Sequence, residues 1–289
     1  MKAADFIYHK ANDTSEALRY LEDYDGEARI LAGGQSLAPM LNMRLWRPAA
    51  LIDINGLSEL SNIAIHSEKV CIGALVRHSE VEDSALIAER LPLLASMVRY
   101  VGDRQVRNRG TIGGSLVQGD PTGEMPLGCL VLGAEVSVTG SAGTRAIGMV
   151  DFYAGAYAAR IGADEILTEI RFTKHPPHYA FREFCRRHND FAVLSVAATG
   201  KCSDDGTWQD IRIGLGGVHE TPVLAADSMT RVEGSRLSET EIVLAGDDAV
   251  NAIEPPSDVR ASAEYRTHLV PRYVSQALRD LRASGEKRA

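Results

Sequence analysis

Short apolar runs alternate with amphipathic ones in the first part of the chain. Ala28–Leu31 and Leu51–Ile54 are mostly apolar and predict two β-strands, and the turn signal Asn55-Gly56 closes the second. Between them, Ser36–Leu45 carries apolar side chains at helical spacing and predicts a helix. A strand, a glycine turn and a helix start in this order can bring backbone donors to a phosphate group.

The middle of the chain mixes strand and helix signals without regular alternation. Alternating apolar side chains predict two short strands that meet around His66–Lys69. Ser79–Tyr100 predicts a long helix broken at Pro92, because proline lacks an N–H donor and disfavours helix before it. Ala134–Val138 and Glu165–Phe172 predict further strands, so we expect an α+β region here.

A polar segment with two prolines, His175–His178, separates this region from the rest of the chain. Beyond it, Phe191–Ala198 is apolar and Ile211–Leu215 alternates, which predicts a second sheet. The chain ends in an amphipathic helix predicted from Pro271 to Arg282, with the proline in its first turn, where no N–H is needed.

The length of 289 residues exceeds a usual single core and favours two domains, with one large α/β domain as the alternative. We expect one domain at residues 1–176, itself divided into subdomains at about residues 1–56 and 57–176, and a second at residues 177–289.

Charge and composition exclude several functions. Against 39 Asp and Glu stand 31 Lys and Arg, and this net charge of −8 argues against nonspecific nucleic-acid binding. We see no secretory signal and no apolar run near the roughly 20 residues that span a bilayer, so we expect a soluble, cytoplasmic protein. Cys71, Cys129, Cys185 and Cys202 are too scattered for a metal or iron–sulfur site, which predicts reduced structural thiols and no metal in this chain.

Two glycine loops carry the strongest chemical signal. One is AGGQS at Ala32–Ser36, and the other is TIGGS at Thr111–Ser115, followed by Glu124. Adjacent glycines let the backbone turn its N–H groups toward an anion because no Cβ intervenes. Two such loops suit a diphosphate, although either loop taken singly is also ordinary turn chemistry.

Competing motifs are incomplete. Gly214–Gly217 lacks the third glycine and the downstream acid of a dinucleotide fingerprint, and Gly200-Lys201 has no Walker spacing. Gly34–Ala38 lacks the last glycine of a nucleophile elbow, and no histidine can be assigned as its base.

Long ordered motifs run through nearly the whole chain: AGGQSLAPMLNMRL (Ala32–Leu45), LIDIN (Leu51–Asn55), IGALVRHSEVE (Ile72–Glu82), RNRGTIGGSLVQGDPTGEMP (Arg107–Pro126), DEILTEI (Asp164–Ile170), AFREFCRRHNDFAVLSVA (Ala180–Ala197) and SAEYRTHLV (Ser262–Val270). In these motifs the chain resembles the FAD-binding medium subunits of molybdenum hydroxylases, the group that contains carbon-monoxide dehydrogenase and the xanthine dehydrogenase flavin domain. The resemblance implies an α+β FAD-binding PCMH fold of the vanillyl-alcohol-oxidase type, built from two α+β subdomains, plus a C-terminal α+β domain.

The resemblance also implies which residues hold FAD. The two loops would bind the pyrophosphate through backbone donors, assisted by the hydroxyls of Ser36 and Ser115. Where relatives often have histidine in the first loop, this chain has Gln35. The implied set is Ala32, Gly33, Gly34, Gln35, Ser36, Leu37, Thr111, Gly113, Gly114, Ser115, Asp120, Glu124, Leu167 and Arg182.

Four members of this set keep alternative interpretations. Glu124 matches an acid that binds the FAD ribose, but it could be a solvated surface acid. Leu167 matches a residue that borders the flavin, but it could be only a strand core residue. Arg182 matches a cation near the isoalloxazine ring, but it could be a surface ion-pair partner. Asp120 is foremost a turn former close to the second loop.

The resemblance implies a flavoprotein subunit without its own acid–base pair. FAD would take electrons from 2Fe-2S clusters and deliver them to an external acceptor. The small iron–sulfur subunit and the large molybdopterin subunit would be separate chains, arranged as a dimer of heterotrimers. Two alternatives remain open: a stand-alone flavin-dependent oxidase or reductase of the same fold, and a noncatalytic nucleotide-binding module.

Overall fold

The computed structural model describes residues 2–173, 175–187 and 189–286. Within these ranges the chain forms an N-terminal parallel sheet, a central antiparallel sheet wrapped by helices, and a C-terminal antiparallel sheet backed by helices. This organisation confirms the α+β fold class.

The N-terminal unit consists of β1 (Ile7–Lys10), α1 (Thr14–Asp23), β2 (Ala28–Leu31), α2 (Leu37–Asn42) and β3 (Ala50–Asp53). Its strands are parallel, and β3 lies between β1 and β2. The α1 helix begins at Asp13, whose carboxylate accepts a hydrogen bond from the N–H of Glu16 at 2.8 Å. Its apolar face then buries Ala17 and Leu21 against the sheet.

The α2 helix is shorter than the predicted Ser36–Leu45. It ends at Asn42 because Arg44 adopts the left-handed region, with a φ of 60°. The N–H of Leu45 then turns back and donates to the carbonyl of Met40 at 3.0 Å. Apolar spacing alone does not reveal this stop, since no glycine marks it.

The central unit has one sheet, a run of short helices and a small hairpin: β4 (Ile63–His66), β5 (Lys69–Gly73), α3 (His78–Asp83), α4 (Ala85–Arg90), α5 (Pro92–Met97), α6 (Arg104–Arg109), α7 (Ile112–Gln118), α8 (Glu124–Val131), β6 (Glu135–Gly140), β7 (Gly143–Gly148), β8 (Tyr153–Gly155), β9 (Ala158–Ala159) and β10 (Ile166–Phe172). The sheet order is β4-β5-β10-β6-β7, with antiparallel neighbours. Short 3-10 turns occur at Ser58–Leu60 and Val98–Tyr100.

The predicted long helix Ser79–Tyr100 is broken more often than expected. The break at Pro92 is present, since α5 begins with that proline. A second break lies at Ser84, which is extended and accepts a hydrogen bond from the N–H of Ile87 through its hydroxyl. Serine competes with the helix for backbone donors in this way, so it starts α4 instead of continuing α3.

The C-terminal unit consists of β11 (His178–Phe184), β12 (Leu194–Cys202), β13 (Trp208–Gly216), β14 (Val223–Leu224), α9 (Ala226–Val232), α10 (Glu239–Asp248), a 3-10 turn (Ala249–Ala252) and α11 (Ala263–Glu286). Its strands form an antiparallel sheet in chain order. One sheet face contacts α8 and the other contacts α11. Both faces are therefore covered, which explains why β12 is a nearly continuous buried run.

The last helix begins earlier than predicted, and Pro271 lies in its interior. The helix is capped at its start by the Ser262 hydroxyl, which accepts a hydrogen bond from the N–H of Tyr265 at 3.1 Å. Leu269 and Val270, before the proline, are buried in the C-terminal core. This packing outweighs the cost of an interior proline, which is about 3 kcal/mol.

A buried arginine connects α11 to the contact between the domains. Arg266 donates hydrogen bonds to the carbonyls of Val193 at 2.5 Å and Gly217 at 2.7 Å, and it pairs with Asp258 at 2.8 Å. The N–H of Gly217 in turn donates to the carbonyl of Pro121 at 2.8 Å. The C-terminal domain therefore directly holds the turn that precedes Glu124.

Two further findings concern membrane-spanning helices and the state of the cysteines. Of the helices in the described part of the chain, none is both long and apolar enough to cross a membrane. All four cysteines are free thiols, and Cys71 and Cys129 are buried.

Replacing Arg266 tests its structural role. Arg266→Met should lower the free energy of unfolding by about 3–5 kcal/mol, because it leaves Asp258 and two carbonyls without their buried partner. Arg19→Gln, which removes an exposed pair with Glu16, is the control and should cost less than about 1 kcal/mol. Urea unfolding of both variants measures the difference, and equal stabilities would contradict the role.

Candidate functional site

The first glycine loop, Ala32–Leu37, connects β2 to α2 and presents a row of free donors. Within the described residues, no acceptor is found for the backbone N–H groups of Gly33, Gly34, Gln35, Ser36 and Leu37. The bend depends on Gly34, whose φ of +72° is readily adopted only by glycine. The Ser36 hydroxyl makes no capping bond and its side chain is exposed. Successive free N–H groups of this kind fit an anionic ligand.

The second glycine loop, Thr111–Ser115, forms the N-cap and first turn of α7, and the Arg109-Gly110 backbone just before it lies directly against the first loop. A Cβ on Gly33 would stand 2.3 Å from the carbonyl oxygen of Arg109 and 2.8 Å from the Cα of Gly110. The helices that follow the loops also meet, since the Gln118 amide lies 3.9 Å from the sulfur of Met40. The two sequence motifs therefore form one cradle, in which only glycine fits at position 33.

The donors of the second loop are used within the protein. The N–H groups of Ile112 and Gly113 donate to the carbonyls of Val76 and Ala74, each at 3.0 Å. Those of Gly114 and Ser115 donate to the hydroxyl and the carbonyl of Thr111. The expectation of free backbone donors here is therefore corrected for these four residues. What the loop offers is the exposed Gly114 and the half-buried Ser115.

Gly113 serves close packing. A Cβ at this position would lie 2.6 Å from both the Cβ and the carbonyl oxygen of Ala74. This contact holds the second loop against Ala74, the residue directly after β5. It thereby fixes Thr111 and Ser115 relative to the central sheet.

Two residues that the sequence analysis did not single out support the cradle from behind. The Asn55 amide donates to the carbonyls of Leu31 at 3.2 Å and Ala32 at 2.8 Å. Arg77 donates to the Asn55 amide oxygen at 2.7 Å and to the carbonyl of Arg109. Asn55 and Arg77 both lie in motifs that carried the resemblance, but a motif does not show what its side chains bind.

The acidic turn, Asp120–Glu124, follows the second loop after α7. Asp120 accepts hydrogen bonds from the N–H and hydroxyl of Thr122 at 2.9 and 2.7 Å, which confirms it as a turn former. Glu124 is the first residue of α8. Burial, together with the negative charge of Asp120, raises the pKa of Glu124 to about 7. Glu124 is therefore not a freely solvated surface acid.

Leu167 lies in the core of the central unit, whereas Arg182 lies in an ion pair of the C-terminal unit. Leu167 is a buried core residue of β10, and β10 contacts the second loop's helix α7. Its side chain packs in the core, which leaves its backbone as the part that could border a ligand. Arg182 pairs in a bidentate manner with Asp280 on α11, at 2.5 and 2.9 Å. The structure therefore does not bring Arg182 to the glycine loops.

The next residue, Glu183, faces the opposite way. Side chains alternate along β11, so Phe181 and Glu183 share one face while Arg182 is on the other. Phe181 packs against the core of the central unit, and the charge of Glu124 acts on Glu183. The C-terminal domain thus presents Glu183 to the acidic turn.

Comparison with protein families agrees with this geometry. Residues 3–174 match the family described as FAD binding domain in molybdopterin dehydrogenase, and residues 179–281 match the CO dehydrogenase flavoprotein C-terminal domain. The chain belongs to the FAD-binding family of molybdopterin dehydrogenases. It is an oxidoreductase flavoprotein subunit, and the fold of the vanillyl-alcohol-oxidase type implied by the resemblance is confirmed.

Individual relatives are similar over their full length. The chain is 35% identical to the 6-hydroxypseudooxynicotine dehydrogenase complex subunit alpha of Paenarthrobacter nicotinovorans, covering 96% of this chain and 95% of that protein. It is 33% identical to the glyceraldehyde dehydrogenase medium chain of Sulfolobus acidocaldarius, covering 97% and 100%. A carbon monoxide dehydrogenase structure from Hydrogenophaga pseudoflava superposes with a TM-score of 0.95 at 32% identity, covering 98% and 99%.

The residues present fit an FAD of this family. The five free N–H groups of the first loop suit a pyrophosphate, and the absent Cβ at Gly33 lets the Arg109-Gly110 backbone pack against this loop. Glu124, which accepts hydrogen bonds when ionised, suits sugar hydroxyls.

Replacing Gly33 tests the cradle. Gly33→Val should abolish FAD retention, because the side chain collides with the Arg109 backbone and separates the two loops. The same substitution at Gly148, where a Cβ would find only Val150 at 3.9 Å, is the control and should keep FAD. FAD released from each purified variant is measured by absorbance, with circular dichroism as a check on folding. Normal occupancy in Gly33→Val would contradict the cradle.

Proposed function

We propose that this chain carries FAD as the electron-transfer subunit of a heteromeric molybdenum hydroxylase. When bound, FAD would supply the redox chemistry, taking electrons from 2Fe-2S clusters of a partner chain and passing them to an external acceptor. The observation that carries the proposal is the row of five free N–H groups, Gly33–Leu37, packed against the second glycine loop. The chain's own task is to bind and orient the flavin.

The proposed FAD site comprises both glycine loops and the acidic turn. The first loop would hold the pyrophosphate through backbone donors, and the Ser36 and Ser115 hydroxyls would assist. Glu124 would accept from ribose hydroxyls, and the backbone of Leu167 would border the flavin. For Arg182, the cation role near the ring stays a prediction from the resemblance.

We further propose that the partners are a small iron–sulfur subunit and a large molybdopterin subunit in a dimer of heterotrimers located in the cytoplasm. The scattered cysteines and the length of 289 residues support separate chains for those cofactors. Relatives are likewise named as a medium chain or as the subunit of a complex. A domain boundary near residue 176 is supported by family matches that end at 174 and begin at 179.

Purification from the native host tests the assignment. We expect a flavin absorption spectrum, released FAD identified by mass, and co-purifying iron–sulfur and molybdenum chains. FAD without partner chains would instead support a stand-alone flavoenzyme, and failure to bind FAD on reconstitution would reject the proposal.

Replacing Glu124 tests its contact with FAD. Glu124→Ala should weaken FAD binding by about 1–3 kcal/mol, the scale of a lost hydrogen bond to a charged group. Glu135→Ala removes a half-exposed acid at the start of β6, whose ion-pair partner is Arg171 at 3.7 Å, and should leave the dissociation constant unchanged. Fluorescence titration of the FAD-free protein measures both, and equal constants would remove Glu124 from the site.

A further inference from the structure

Two buried polar atoms of the C-terminal sheet face the acidic turn. Glu183 on β11 stands opposite Ser195 on β12, and cross-strand partners share one face of a sheet. Within the described ranges, Glu183 Oε2 and Ser195 Oγ are buried without a hydrogen-bond partner. A Cβ on Gly216 would lie 2.5 Å from Ser195 Oγ and 3.5 Å from the carbonyl of Pro121, so this face adjoins the acidic turn.

We propose that Glu183 and Glu124 form a carboxyl pair that holds one proton at neutral pH, with Glu183 as the protonated, positioning partner of the FAD-binding Glu124 carboxylate. The proposal rests on the proposed FAD site. It assigns to the C-terminal domain a role at that site that neither a family match nor a relative's name supplies. A protonated Glu183 would donate to Glu124 and leave the other Glu124 oxygen free to accept from FAD.

Because no cation of the described residues pairs with these two carboxyl groups, a proton is what neutralises one of them. No ion pair with Arg or Lys reaches Glu124 or Glu183 in the part of the chain that the structure describes. The one arginine next to Glu183, Arg182, is turned to the opposite face by Asp280. Burial and the charge of Glu124 raise the pKa of Glu183 to about 8.

On the face of the sheet that carries Glu183, the other charged groups are also acids. The charges of Glu183, Asp190 and Glu124 add to burial in raising the pKa of the Cys185 thiol. The Tyr157 hydroxyl donates to Asp120. The groups on the elements packed around Glu183 are Asp120 and Glu124 from the acidic turn and α8, Cys185 and Asp190 after β11, Tyr100 beside Phe181, and Arg182, Tyr273 and Asp280 on the α11 face.

The pair makes FAD binding sensitive to alkaline pH. Below the pKa of Glu183, the pair carries at most one negative charge. Above it, Glu183 loses its proton and two like charges meet in a partly buried site. These charges repel each other and the FAD diphosphate, and Glu124 loses its donor, so affinity for FAD falls as pH rises.

The experiment is an FAD titration of the full FAD-free chain at several pH values, followed by fluorescence. In the unaltered protein the dissociation constant should rise about tenfold between about pH 7 and about pH 9, the effect of about one pKa unit of coupling. Glu183→Gln keeps the shape and a donor but cannot ionise, so its constant should change less than about twofold. Glu264→Gln makes the same change at an exposed acid in the first turn of α11 and should keep the profile of the unaltered protein.

A second measurement does not depend on FAD. Infrared spectroscopy of the FAD-free chain at about pH 8, where Glu124 is mostly ionised, should show the carbonyl band of a protonated carboxyl, and Glu183→Gln should remove most of it. A pH profile that persists in Glu183→Gln, or that is lost in Glu264→Gln as well, would overturn the pair. If the chain binds no FAD at all, the proposed function fails, while the infrared band still decides whether the pair exists: its absence rejects the pair and its loss in Glu183→Gln supports it.

Discussion

The contact between Gly33 and the Arg109–Gly110 backbone is the constraint on which the candidate site depends. With only 2.3 Å between a hypothetical Cβ and the Arg109 carbonyl, any other residue would push the two loops apart. Because the first loop follows β2 of the N-terminal sheet and Arg109-Gly110 belongs to the central unit, this contact also sets how the N-terminal unit sits on the central one. Asn55 and Arg77 reinforce the contact, since Arg77 binds both Asn55 and the Arg109 carbonyl. Ligand binding and domain packing thus share one piece of backbone.

The two loops have different structural roles, although their sequences are similar. In the second loop a threonine caps the helix and neighbouring carbonyls take the remaining N–H groups, so Gly113 serves close packing on Ala74. In the first loop Ser36 does not cap and the N–H groups stay free. Gln35 and Ser36 are exposed, and Gly34 and Leu37 are half-buried, so these donors are open to solvent and accessible to an anionic ligand.

The sequence predicted the strands better than the helices. β2 has the bounds expected for it, and the hairpin around His66–Lys69 is present, because apolar runs closed by turns give clear local signals. The observed helices differ from the predicted ones where tertiary packing or a side-chain hydrogen bond determines their bounds, as at Ser84 and Pro271. Both glycine loops were predictable from the sequence, because adjacent glycines are a local signal. Their mutual contact was not, since it joins residues that are far apart in sequence.

The placement of Arg182 and Glu183 shows how much depends on strand register. A motif resemblance locates a functional position along the chain, but a shift of one residue in a strand moves a side chain to the other face of the sheet. Here that shift decides which charge lies on the side of the acidic turn: Arg182 pairs with Asp280 on one face, while Glu183 lies on the other, where burial and the charge of Glu124 raise its pKa. A cation there would hold Glu124 ionised, whereas a second carboxyl couples its ionisation to a proton. Charge near a bound flavin is one of the few properties that the protein can adjust, so this difference bears directly on function.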